Sequence, residues 1–188
     1  MDFIAGKKFG KVDYTKNVLT KGEYEECTFS DCNFSETELS DVIFTECEFI
    51  RCDLSLVSLI NTIFRDTTFK ECKMLGLHFD DCNEHGVSFG FIDCILNHSS
   101  FYKTKIKNTR FVNCRLTETD FTGCDVTGSV FDRCDLANAV FDNSILEKTD
   151  FSTAYNFIID PENNKIKKAL FSLNGLPGLL TKYDINIG

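Results

Sequence analysis

Residues 134–141 read Cys134-Asp135-Leu136-Ala137-Asn138-Ala139-Val140-Phe141. Two large apolar residues, Leu136 and Phe141, stand five apart, and each follows a small residue, Cys134 or Ala139, by two positions. Neither the 3.6-residue period of a helix nor a simple alternation produces a period of five. The same spacing extends in both directions. It runs Phe91, Leu96, Phe101, Ile106, Phe111, Leu116, Phe121, Val126, Phe131, Leu136, Phe141, Leu146, Phe151. Upstream, in a register offset by two, it runs Tyr24, Phe29, Phe34, Leu39, Phe44, Phe49, Leu54, Leu59, Phe64, Phe69, Met74, Phe79. Together these are 25 apolar centres in order across one break.

A period of twenty lies over the period of five. Phe91, Phe111, Phe131 and Phe151 form one column, and Phe101, Phe121 and Phe141 another. A coil of ten residues would leave almost no interior for Phe. The pattern therefore predicts a four-sided solenoid of about twenty residues per coil, with coils ~4.8 Å apart through parallel backbone pairing. One large and one small inward residue per five fill the interior without clashes.

All ten cysteines occupy the small inward position: Cys27, Cys32, Cys47, Cys52, Cys72, Cys82, Cys94, Cys114, Cys124 and Cys134. An apolar centre follows each by two residues, except that Cys82 is followed by Glu84. Four residues separate even the closest pair, which is not a zinc spacing. Stacked cysteines approach disulfide range, yet ten thiols with no visible export signal point to a reducing cytoplasm. They are expected to be structural thiols, with no metal and no cofactor.

With Cys134 to Phe141 close to its consensus, the sequence resembles the pentapeptide-repeat family. The resemblance implies an all-β solenoid, a right-handed quadrilateral β-helix. Coverage is roughly 24–151, or from Tyr14, since Tyr14 and Leu19 keep the first register. The chain divides into a 1–23 N-terminal cap with a first irregular coil, a 24–151 β-helix with a register break at 80–90, and a 152–188 C-terminal module. The break holds twelve residues between Phe79 and Phe91 where two repeats need ten. Gly86 and Gly90 are expected to take positive φ there. The result is a small loop on the wall, either a neutral insertion or a partner contact through Glu84 and His85.

The module 152–188 leaves the five-residue pattern. Asp160-Pro161-Glu162 reads as a turn or helix start, with Asp160 as cap. Leu176, Leu179, Leu180 and Tyr183 mark a short amphipathic helix, and Ile185-Asn186-Ile187 a closing strand. A solenoid end exposes its core, so it needs a cap, and a cap apolar on both sides dimerises. A repeat solenoid with such a tail is similar to the Qnr, MfpA and microcin-immunity group, and the stretch from Ile159 to Ile166 looks most like the microcin-immunity type. The resemblance implies a homodimer through Leu176, Leu179, Leu180, Tyr183, Ile185 and Ile187. It also implies a DNA mimic that engages DNA gyrase or topoisomerase IV.

The chain carries 20 Lys and Arg against 29 Asp and Glu, a net charge of -9. That excludes ordinary phosphate-backbone binding, which needs clustered basic residues. Residues 24–90 hold 4 basic and 14 acidic side chains, residues 91–151 hold 7 and 9, so the acid concentrates in the first register. It concentrates two residues after the centres, at Glu26, Asp31, Glu36, Asp41, Glu46, Asp66, Glu71 and Asp81. This ladder reads in two ways: a solvated surface that blocks aggregation, or an anionic face matched to a basic DNA-binding groove. Lys103, Lys105, Lys107 and Arg110 read as local charge balance. Ile43 and Ile63 are expected to be exposed neighbours.

No phosphate loop, nucleophile elbow or carboxylate pair in a cleft is visible, and a Phe-filled interior leaves no pocket of usual size. An enzyme is not expected. The expectation is a cytoplasmic, homodimeric, DNA-mimicking binding protein for a type II topoisomerase, without direct contact to nucleic acid or membrane. The alternative is a general interaction scaffold with an unrelated cytosolic partner.

Overall fold

A computed structural model describes residues 2–84 and 87–186. His85, Gly86 and Ile187, assigned above to a loop contact, to positive φ and to the dimer, lie outside those residues. The chain is a parallel β-solenoid. Short strands stack into one sheet of four and one sheet of nine, every pair parallel and in register. The shift between paired residues is twenty: Phe29 opposes Phe49, and Phe111 opposes Phe131.

The large centres form continuous ring columns. Phe9, Phe29, Phe49, Phe69, Phe91, Phe111, Phe131, Phe151 and Phe171 stack in one file, with centroids 4.8 to 5.4 Å apart. Rings of adjacent faces meet edge-on, as Phe111 does Phe121 at 6.3 Å. Parallel in-register pairing puts like side chains one strand spacing apart, which is offset-stacking distance for rings. The twenty-residue coil follows from this match.

The small inward residues have a second role beyond spacing. Thr62 donates its hydroxyl to the carbonyl of Leu39 at 2.8 Å, Thr119 to Leu96 at 3.1 Å and Ser144 to Phe121 at 2.8 Å, always 23 residues back. The thiols do the same: Cys47 to Tyr24 at 3.2 Å, Cys52 to Phe29 at 3.4 Å, Cys134 to Phe111 at 3.4 Å. A buried donor is tolerated because a carbonyl of the preceding coil accepts it. All ten cysteines are buried and unbridged. Burial pushes the Cys47 and Cys124 thiols up to about 12, so they remain protonated donors.

Cys32, Cys52, Cys72, Cys94, Cys114 and Cys134 make one unbroken file, so the register break does not disturb this edge. The break is absorbed elsewhere. Thr67 pairs with Phe89 and Phe69 with Phe91, a shift of 22, after which twenty resumes. Gly90 differs from its expectation: it sits inside the strand Phe89–Ile92 without positive φ. Phe89 takes the inward position that Thr67 and Thr109 hold in the flanking coils. Its ring meets Phe64, Phe79, Phe91 and Phe101. A large side chain in a small position fills the core where no five-residue centre stands between Phe64 and Ile106.

The coils run beyond 24–151 at both ends. Strands Asp2–Ala5 and Lys8–Gly10 pair with Gly22–Glu25 and Thr28–Ser30, and Ile4 and Phe9 keep the first register. Gly22 is required at this junction, because a Cβ there would lie 2.6 Å from the Asp2 carbonyl oxygen. Downstream, Asp150–Phe151 pairs with Leu170–Phe171. Asn164 takes the small inward role and donates to the Phe141 carbonyl, and Ile166 and Phe171 resume the second register. A six-residue step at Phe157 hides this coil from a five-residue reading.

Candidate interaction surface

The position two residues after each centre is where the chain turns a corner, and it turns in the left-handed region. Glu26, Asp31, Glu36, Asp41, Glu46, Asp66 and Glu71 have φ between 47° and 64°. Asp81 differs, because it ends the 3-10 turn Phe79–Asp81. Left-handed backbone favours Gly and Asn over other L-residues. The second register follows that preference at Asn108, Asn113, Gly123, Gly128, Asn138 and Asn143. Glutamate at such a corner is locally unfavourable, as are Arg51, Leu56, Lys103, Glu118, Arg133 and Lys148 at theirs.

The eight acids do not make one face. The coil distributes them over all four edges of the solenoid, and their surroundings differ. Asp31 is bridged by Arg51 at 2.7 and 2.9 Å in the next coil, which holds its carboxyl below the usual range. Asp41 accepts from Asn61 at 3.0 Å and Lys21 at 3.1 Å and is lowered likewise. Glu36 is followed on its edge by Leu56 and Gly76, so no second acid stacks there. Glu71 follows Arg51, and Asp81 follows Asn61. Only Glu26, Glu46 and Asp66 succeed one another directly. All three are exposed and line one shallow concavity together with the half-buried Glu48. Among the described residues, neither Glu26 nor Glu46 forms an ion pair.

The same edge ends in the opposite sign. After Asp66 it carries Ser88, Asn108 and Gly128, then Lys148 and Lys168. The backbone bonds that stack it run from Gly128 to Glu147 and from Lys148 to Lys167. The face preceding this edge follows suit, with Glu23 and Glu25 on an early coil and Lys105, Lys107, Lys165 and Lys167 on later ones. The sequence reading missed this basic half, although Lys148 and Lys168 stand twenty apart as their acidic counterparts do.

Beside the insertion a cavity of about 550 Å³ opens between Phe79, Val87 and Phe89 on one side and Tyr102, Lys105 and Ile106 on the other. The expectation of no pocket does not hold for the wall, where this cavity opens. Glu84 lines this cavity. Of the expected basic patch, Lys107 is paired with Asp125 at 3.1 Å, and Lys103 lies over the Tyr102 ring at 4.8 Å. Ile43 and Ile63 are paired neighbours as expected, but each is half-buried rather than exposed.

The tail packs closely on Phe157 at Gly175 and Gly178, where a Cβ would lie 2.6 Å and 2.2 Å from Phe157 atoms, and Leu179 packs against the core. It comprises a 3-10 turn Leu173–Gly175, the single helical turn Pro177–Leu180 and a second 3-10 turn Thr181–Tyr183. Asp160 caps a turn by accepting from the Glu162 amide at 2.9 Å, and no helix starts there. Ile185 and Asn186 form no strand, because Asp184 turns the chain with φ 48°. Lys182 binds Asp160 at 2.8 Å and Glu162 at 2.6 Å, and the Tyr183 hydroxyl donates to Glu162 at 2.8 Å. Of the expected dimer residues, Leu176, Tyr183 and Ile185 are exposed, whereas Leu179 and Leu180 are half-buried. Leu173, at 85% exposure, and Ile158 add apolar surface that the sequence reading missed.

Among the described residues, no helix is long and apolar enough to cross a membrane, and no cluster of three His, Cys, Asp or Glu could hold a metal. A sequence model described as the pentapeptide repeat region matches residues 19–90 and 88–155, the two matches meeting at the register break. No curated protein matches the sequence. Two solved structures share the fold, both of trypsin-treated single-substitution variants of QnrB1, a plasmid-mediated fluoroquinolone resistance protein. The first aligns at a TM-score of 0.77 with 14% identity, covering 100% of this chain and 92% of the QnrB1 chain. The second aligns at 0.64 with 16% identity, covering 99% and 97%.

Proposed function

This chain belongs to the pentapeptide-repeat family, and from that premise we propose that it is a binding protein presenting the Glu26, Glu46 and Asp66 edge as a substitute for DNA phosphate to a type II topoisomerase. The observation that carries this reading is the edge itself. Three carboxylates at one strand spacing, ~4.8 Å apart, stand on corners where glutamate is conformationally unfavourable. A DNA strand carries one phosphate per ~3.4 Å of axis, so the edge offers a short anionic row of comparable pitch. A groove built to hold phosphate with Lys and Arg attracts such a row by the same long-range field. The shared fold with QnrB1, itself described as a fluoroquinolone resistance protein, agrees with this partner class.

The homodimer through the C-terminal module belongs to the same proposal, now centred on Leu173, Leu176 and Ile185 with Ile158. The test is DNA supercoiling by purified gyrase and topoisomerase IV, with and without a quinolone. The wild-type protein is expected to change supercoiling or drug-induced cleavage at micromolar concentration, and Glu26→Gln/Glu46→Gln/Asp66→Asn to lose that effect. No effect of the wild type would overturn the reading. A pulldown recovering one other protein and no topoisomerase would favour the scaffold reading, to which a surface of mixed sign is also suited.

A further inference from the structure

The edge and face that carry the acidic row are electrically polar from end to end. On the early coils this surface holds Glu23, Glu25, Glu26, Glu46 and Asp66 against Arg65, a net of -4. On the late coils it holds Lys105, Lys107, Lys148, Lys165, Lys167 and Lys168 against Asp125 and Glu147, a net of +4. The two halves are equal and opposite. We propose that this surface is a self-complementary interface on which a second copy of the chain docks side by side and antiparallel.

The geometry follows from the coil register. Glu26 and Lys168 are the outermost charged residues of the edge, which Gly6 continues by one coil, and Glu46 and Lys148 are each one coil further in. A twofold axis midway along the edge brings Glu26 of one copy to Lys168 of the other and Glu46 to Lys148, and both pairs form twice. Glu46 and Lys148 are five coils apart in one chain, about 24 Å at the ordinary strand spacing. That exceeds a Debye length at physiological salt, ~8 Å, so the two charges do not neutralise each other within a copy. Parallel docking would set acid against acid and base against base, and electrostatics therefore selects the antiparallel arrangement. The axis falls at the insertion, where Glu84 of one copy approaches Lys105 and Lys107 of the other. This interface is separate from the C-terminal module and does not depend on the topoisomerase reading.

The experiment is sedimentation equilibrium of the full chain at two ionic strengths. The Debye length is ~30 Å near 0.01 M and ~8 Å near 0.15 M. The wild-type mass is expected to fall by half or more as salt rises between these values. A variant with Glu26→Lys, Glu46→Lys and Asp66→Lys, and another with Lys148→Glu, Lys165→Glu and Lys168→Glu, should each keep the high-salt mass at low salt. An equimolar mixture of the two should regain the low-salt mass, and carbodiimide should cross-link Glu46 to Lys148 between isotopically distinct wild-type copies. A wild-type mass independent of salt, or folded variants whose mixture does not associate, overturns the proposal. Cross-links confined to the tail would do the same, because they assign the association to the C-terminal module alone.

Discussion

The Thr62 hydroxyl donates to the carbonyl of Leu39 at 2.8 Å, across one coil and 23 residues of chain. Leu39 also accepts from the Val42 amide at 3.1 Å. Removing the hydroxyl therefore leaves no orphaned carbonyl, and Thr62→Val forfeits only the net value of one buried hydrogen bond. The expected loss is about 1 kcal/mol by urea denaturation. A loss several times larger would mean that the hydroxyl supports more than this carbonyl.

Phe111 lies inside the nine-ring file, stacked on Phe91 at 5.1 Å and Phe131 at 4.8 Å and fully buried. A coil cannot collapse onto the void without breaking register with both neighbours. Phe111→Ala should therefore cost about 3–5 kcal/mol, and Phe111→Leu, which keeps most of the volume, clearly less. Equal losses for the two would contradict packing as the cause.

Glu46 sits at φ 53° between two like-charged neighbours on its edge. Glu46→Asn relieves both the backbone preference and the repulsion. It should raise stability by roughly 0.5–1 kcal/mol while weakening whatever the edge binds. Lower stability in this variant would mean that the acid serves the fold after all.

Lys182 joins Asp160 and Glu162 and holds both carboxyls below their usual range. Depressed carboxylates stabilise the folded tail above their unfolded values, ~3.9 for Asp and ~4.3 for Glu, and that contribution is lost as pH falls through the folded ones. Amide protection in Leu173–Tyr183, taken relative to intrinsic exchange at each pH, should fall under acid. Lys182→Met should show the lower protection already at neutral pH. Protection in that variant equal to wild type would mean that the clamp does not hold the tail.

Deleting the chain from Leu176 onward removes exposed apolar surface together with Lys182 but leaves Lys165, Lys167 and Lys168. In high salt, where side-by-side docking is screened, the truncated chain is expected to be monomeric in light scattering and the full chain dimeric. A dimer that survives truncation in high salt would reject the C-terminal module as an interface.

The sequence alone determined the coil. A large residue every five positions with a small one two before it has one close-packed solution, and columns twenty apart state which rings stack. The cysteines were legible as inward residues for the same reason, though their bonds to carbonyls 23 residues back were not, because these depend on how coils sit on one another. Local pattern also located the break, but not its remedy. Phe89 reads as an intruder in a small position, and only the space between Phe64 and Ile106 shows why it fits. The coil through Asn164, Ile166 and Phe171 was hidden because one six-residue step defeats a strict period while the parallel pairing tolerates it. The acids were counted correctly from the sequence, yet their meaning lay in the fold. Charge acts through space, and coiling sends residues five apart to different edges while bringing residues twenty apart together. Only that wrapping isolates Glu26, Glu46 and Asp66 from the paired Asp31 and Asp41 and sets them on one edge with Lys148 and Lys168.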